Sequence, residues 1–200
     1  VFNVVLCGDV IGEVDDVVVG QQSLDQWNTV TLDNSYSRPV VVMSVASFND
    51  INPITVRVRN VQSNSFEYQI DEWDYQAGFH AIERISYMVL EQGIHTLSNG
   101  AKIVAGNTRA RGTWSNIPCG NFYTFDDTPV AFTQCITTTN QQALTTRISN
   151  LTPASFRIAL QKEESSNVLP SIERVSVILM EQGMEDIGTK FEMRKAADSV

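Results

Sequence analysis

The 200-residue sequence predicts an all-β chain folded as two tandem antiparallel β-sandwich domains. Nearly every apolar run is short, rich in Val, Ile, Thr, Phe and Tyr, and bounded by Asn, Asp, Gly or Pro, as strands between turns are. Polar and apolar residues alternate in Thr55-Val56-Arg57-Val58-Arg59 and in Phe66-Glu67-Tyr68-Gln69-Ile70, so successive side chains point to opposite faces of a half-buried sheet. Residues 39–93 also lie over 129–183 without a gap, matching at about fourteen of fifty-five positions, which signals an internal repeat of about 90 residues.

Each element follows from these patterns. The first copy supplies strands at 27–32, 39–47, 54–61, 65–72, 82–91 and 102–105, and the second at 130–137, 144–151, 155–161, 172–181 and 190–194. About six short strands per copy, joined by short turns, fit a small sandwich. Val17-Val18-Val19-Gly20 leading to Trp27 and Ile103-Val104-Ala105-Gly106 leading to Trp114 suggest that each copy opens on a strand, a polar turn and a Trp. The expected domains are residues 17–105 and 106–200, joined without a Gly/Ser- or Pro-rich linker and so packed in a fixed order.

Residues 1–16 match neither copy. Val1, Phe2, Val4, Val5, Leu6, Val10 and Ile11 make this segment too apolar for a solvated tail. It is expected either to pair with a sheet edge of its own chain or to add a strand to a neighbour, since an open β-edge is a template for pairing. Passed from subunit to subunit, such a strand gives a head-to-tail contact and, if the contact does not close, a filament. A chain that opens on Val1 and not Met is expected to be a processed product or a fragment.

Charge excludes several classes. The formal net charge is −9 and the pI near 4.6, so phosphate backbones and anionic membrane surfaces repel the chain, and no nucleic-acid partner is expected. No apolar run has the length of a membrane-spanning helix, so no membrane insertion is expected. Three cysteines allow at most one internal disulfide. Cys135 lies in a strand-like run and reads as a buried thiol, whereas Cys7 and Cys119 have no counterparts in the other copy and form the candidate bridge, within or between chains.

Catalytic constellations are absent from the sequence. His80 and His95 have no metal-ligand spacing to a Cys or acid and read as surface or turn residues. No phosphate-binding Gly loop, nucleophile elbow or His-Glu-x-x-His helix occurs, so no enzyme activity, cofactor or metal is expected. The repeated charges Arg57/Arg147, Glu83/Glu173, Arg84/Arg174 and Glu91/Glu181 read as strand-face contacts, with Glu83 or Glu91 facing Arg57. Phe66 and Phe156 read as core anchors.

The loop at 72–80 is the sharpest candidate site. Trp73, Asp74, Tyr75 and His80 combine aromatic faces, which stack on the apolar face of a pyranose, with a carboxylate that accepts hydroxyl hydrogen bonds. The same acids suit calcium, and the same aromatics suit a protein contact.

Arg38-Pro39-Val40-Val41-Val42, then Val56-Arg57-Val58-Arg59-Asn60-Val61 with Phe66, and a strand ending Tyr87-Met88-Val89-Leu90-Glu91 together resemble the H-type lectin domain of snail agglutinins and discoidins and related repeats in secreted proteins. The resemblance covers about residues 27–93 and, more weakly, 114–183. It implies a six-stranded antiparallel sandwich, an extracellular or cell-surface location, oligomerisation and, in the true lectins, galactose-type sugars. The leading expectation is a non-enzymatic extracellular protein whose partner is itself, assembled head to tail through residues 1–16. The alternative is a glycan-binding lectin using the loop at 72–80.

Overall fold

A computed structural model describes residues 1–6, 9–23, 25–76, 78–97, 100–181 and 193–195. It is built from strands, with one 3-10 turn at Cys119–Asn121 and no α-helix among the described residues. In chain order the strands are β1 (Phe2–Leu6), β2 (Asp9–Gln21), β3 (Asn28–Thr31), β4 (Pro39–Met43), β5 (Ile54–Gln62), β6 (Ser65–Glu72), β7 (His80–Glu91), β8 (Gly93–Thr96), β9 (Lys102–Ala110), β10 (Ser115–Pro118), β11 (Val130–Cys135), β12 (Leu144–Ser149), β13 (Ser155–Lys162), β14 (Glu173–Met180) and β15 (Met193–Lys195). Every ladder is antiparallel.

The strands form four sheets, ordered β15-β1-β2-β7-β4, β3-β6-β5, β11-β14-β9-β8 and β10-β13-β12. The first two sheets enclose one core, where Val19, Val41, Ile85, Tyr87 and Val89 meet Val30, Val58, Phe66, Tyr68 and Ile70. The other two enclose a second core, where Val104, Val175, Val177 and Leu179 meet Ile117, Leu144, Phe156, Ile158 and Leu160. Phe66 and Phe156 are fully buried centrepieces of their respective cores.

Strand registers recur at a ninety-residue offset: Val40 faces Leu90 as Val130 faces Met180, and Thr55 faces Asp71 as Thr145 faces Gln161. The turns recur too. Asn60 (φ 48°), at the irregularity near the end of β5, and Asn150 (φ 50°), just after β12, both take the left-handed conformation, where a short polar side chain is tolerated better than a β-branched one. Trp27 and Trp114 precede β3 and β10, which pair with β6 and β13 in matching register. Each Trp lies under a guanidinium, Arg59 at 4.0 Å and Arg157 at 5.4 Å from the ring centroid.

Two strands run across the expected domain divisions. Strand β2 runs unbroken from Asp9 to Gln21 across the expected division at 16/17, and β9 runs across the division at 105/106. A ladder is the cooperative unit of a sheet, and β9 pairs along its length with β14 of the second sandwich. The β1–β2 hairpin also has a counterpart: Val4 faces Gly12, which faces Leu90, as His95 faces Ile103, which faces Met180. Residues 1–16 are thus the edge of the first sandwich, in the position that β8 and β9 hold in the second.

A third core joins the two sandwiches. Val4, Ile11, Val40, Val42 and Leu90 on the outer face of the first sheet pack on Ile103, Ala105 and Ile178 on the outer face of the sheet containing β14. Sheets with both faces covered read as nearly continuous apolar runs, which is what Pro39-Val40-Val41-Val42-Met43 is.

Candidate functional site

The N-terminal candidates divide by face. Val4 and Ile11 are buried in the joining core, while Phe2 and Val10 are exposed and the Val1 ammonium pairs with Asp15 at 3.1 Å. Val5 and Leu6 lie in β1, opposite Val10 and Asp9. The segment is therefore paired within its own chain, with β2 on one side of β1 and β15 on the other. A hairpin between near neighbours in sequence closes at little entropic cost, which favours it over a strand left for another molecule.

The candidate residues of the loop at 72–80 are not all brought together. Trp73 is half-buried and lines a groove between the sandwiches. The Asp74 backbone N–H donates to Glu163 Oε2 at 2.6 Å, and the Tyr75 hydroxyl donates to Glu164 Oε1 at 2.8 Å. Burial, then the Glu163 charge, raises the Asp74 carboxyl above the usual carboxylate range. This loop is hydrogen-bonded to the second sandwich.

His80 stands apart from the aromatics and is not the surface residue its spacing implied, being only 2% exposed. Its Nδ1 lies 3.1 Å from Glu72 Oε1 and its Nε2 lies 3.3 Å from Glu83 Oε1, with Asp50 Oδ2 at 3.9 Å from Nδ1. An imidazole enclosed by carboxylates has no face to offer a sugar.

Of the candidate disulfide pair, Cys7 lies outside the described residues. Cys119 is a buried free thiol directed to the Thr152 carbonyl at 3.6 Å. Cys135 is a second buried free thiol, and burial pushes it up to about 11. Among the described residues no cluster of His, Cys, Asp and Glu has the geometry to hold a metal ion. Nor is any helix among them long and apolar enough to cross a membrane.

The repeated acids do not face Arg57, because β7 and β5 belong to different sheets. Glu83 holds the loop after β4, accepting from Ser47 Oγ and from the backbone N–H groups of Asn49 (2.7 Å) and Asp50 (3.0 Å). Glu173 does the same after β11, accepting from Thr137 Oγ1 and from the N–H groups of Thr139 (3.1 Å) and Asn140 (2.7 Å). Burial opposes ionisation of both, yet these hydrogen bonds outweigh it and hold both carboxyls below the usual range.

Arg57 has the most consequential position. It is 1% exposed and pairs with Asp71 Oδ2 at 3.2 Å. It also crosses the seam, donating to the carbonyl of Gln142 through Nη1 and to that of Asn140 through Nη2 at 3.0 Å. Beside it Gln134 Nε2 donates to the Val56 carbonyl at 3.0 Å, and Val41 N–H donates to Ser176 Oγ at 3.3 Å. Ile136, from the second repeat, is buried in the core of the first sandwich. Loop 136–142 is thus plugged between the β4 and β5 edges. The alternating strand pattern pointed to Arg57 as a face residue, but nothing local in the sequence marked the loop that it receives.

Alongside this seam runs a groove of about 940 Å³. Val42, Val45, Ile54 and Trp73 line one side, and Phe132, Thr146, Arg147 and Ile148 the other.

No family model matches the chain, and no solved structure matches it. The chain is 29% identical over 195 residues to Halomucin of Haloquadratum walsbyi (strain DSM 16790 / HBSQ001), covering 90% of this chain. It spans about 2% of the length of that relative.

Proposed function

We propose that this chain is a non-enzymatic structural or adhesive module that works outside the cell or at its surface, and that copies of it associate head to tail. The seam between its two sandwiches is the observation that carries this reading. There, unlike surfaces meet: the Arg57 face of one sandwich receives a loop of the other, and a contact between unlike surfaces can be repeated without closing. The likeness to a small part of Halomucin, a mucin by name, supports an extracellular or surface setting. The acidic charge fits a protein that stays soluble at high local density. Strand exchange of residues 1–16 is another route to the same assembly, and it requires β1 and β2 to leave their ladders with β15 and β7.

Sedimentation velocity over a wide concentration range tests the reading. The mean mass is expected to rise steadily with concentration, without a plateau at a closed oligomer. A chain that stays monomeric into the millimolar range would refute self-assembly.

Glycan binding is the second reading, favoured by the placement of Trp73 in a groove with Asp15, Asp16, Arg147 and four threonines. It also follows from the resemblance to H-type lectins. A glycan array is expected to show galactose-type ligands that Trp73→Ala abolishes; a blank array with folded protein rejects this reading.

A further inference from the structure

Within the chain, loop 136–142 of the second sandwich is seated against the first. Its counterpart in the first sandwich, loop 46–52, is held to its own sandwich, and three large apolar side chains in and beside it stand in the open: Val45 is 88% exposed, Phe48 81% and Ile51 85%. Pro53 is exposed where its counterpart Ala143 is fully buried. Among the described residues no hydrogen bond reaches the carbonyls of Asp50 and Asn52, which correspond to the Asn140 and Gln142 carbonyls that Arg57 holds.

The matching socket lies in the second sandwich, across the interdomain groove from Val45 and Ile54. Arg147 corresponds to Arg57 and Gln161 to Asp71, and the two are joined by a hydrogen bond from Arg147 Nε to Gln161 Oε1. Arg147 is exposed and has no carboxylate within salt-bridge distance among the described residues. It lines the interdomain groove together with Phe132 and Ile148, and Phe132 is exposed too. A groove of about 940 Å³ has room for a loop of several residues.

From this correspondence we infer that loop 46–52 of one copy of the chain docks in the Arg147 groove of the next copy, repeating between molecules the contact that already joins the two sandwiches. This rests on the self-assembly reading above and names the surfaces that carry it. The carbonyls of Asp50 and Asn52 meet the Arg147 guanidinium, and Val45, Phe48 and Ile51 cover Phe132 and Ile148. The docking loop is already held in shape. Glu83 fixes it through Ser47, Asn49 and Asp50 just as Glu173 fixes the seated loop, and Asp50 Oδ2 also accepts from the Ala81 N–H at 3.1 Å. Little ordering entropy opposes its docking.

Two variants with exposed substitutions test the contact. One, Phe48→Glu with Ile51→Glu, lacks the plug; the other, Arg147→Glu, lacks the socket. Each alone is expected to keep the wild-type circular dichroism spectrum and to lose association by at least about tenfold. Mixed in equal amounts they are expected to form a dimer and stop, because one intact plug meets one intact socket. Wild-type protein that associates while both variants associate equally well overturns this contact and leaves self-assembly standing. Wild-type protein that remains monomeric overturns both.

Discussion

Glu83 and Glu173 show how a single carboxylate organises this molecule. Each is buried, and each accepts a hydroxyl and two backbone N–H groups from the loop that follows the neighbouring strand. Glu173→Ala leaves the part-buried N–H groups of Thr139 and Asn140 without an acceptor, so the expected loss is about 1–3 kcal/mol in urea unfolding. Thr137→Val, which removes one of the donors to Glu173, is expected to cost about 1 kcal/mol. Asp71 acts with the opposite sign. Burial raises its carboxyl to about 6 despite the opposing pull of Arg57, so between that pH and its unfolded value near 3.8 the folded chain holds a proton that the unfolded chain releases. Its contribution to stability therefore grows as pH falls from about 7 towards 5. The lowered Glu83 and Glu173 contribute stability that is lost below about pH 4.5 as they are protonated. Melting temperature is expected to peak near pH 5, and Asp71→Asn to remove the rise between pH 7 and 5; an unchanged slope in that variant would show that Asp71 is not the group responsible. At this scale Asn60, Phe66 and the repeated glutamates were legible because they recur. Which partner each glutamate takes was not, since the choice depends on which sheet each strand joins.

Among the elements, the loop at 136–142 matters most for the relation between the sandwiches. Ile136 fills the core of one sandwich from the chain of the other, and Arg57 holds the loop's carbonyls. Ile136→Ala is expected to cost about 2–4 kcal/mol through the cavity it leaves. Arg57→Ala is expected to cost about 3–5 kcal/mol, because it strands the Asp71 carboxylate and two carbonyls. Both are expected to lower the first sandwich's stability although one substitution lies in the second repeat; hydrogen exchange of β5 and β6 amides reads this directly, and an effect confined to β11 and β12 would refute the coupling. The strands themselves were legible from alternation and turn residues. Their ends were less so: β2 begins at Asp9 because its ladder with β1 does, three residues before its ladder with β7 starts at Gly12. The aromatic loop at 72–80 looked like one site in sequence, yet alternation turns His80 inward while Tyr75 reaches Glu164.

For the whole molecule, two sandwiches share a core and a loop-in-socket seam. A composition rich in Val, Ile and Thr with short runs determines that strands form, because branched side chains favour extended backbone and turn residues interrupt it. The ninety-residue recurrence determines that similar ladders form twice. Neither determines how the two sandwiches meet, where residues 1–16 go, or which Arg is buried and which is exposed. Those depend on contacts between residues far apart in sequence. Arg57 and Arg147 occupy equivalent strand positions, and only the loop placed beside Arg57 by the packing of the second sandwich makes one a buried bridge and leaves the other exposed, bonded to Gln161.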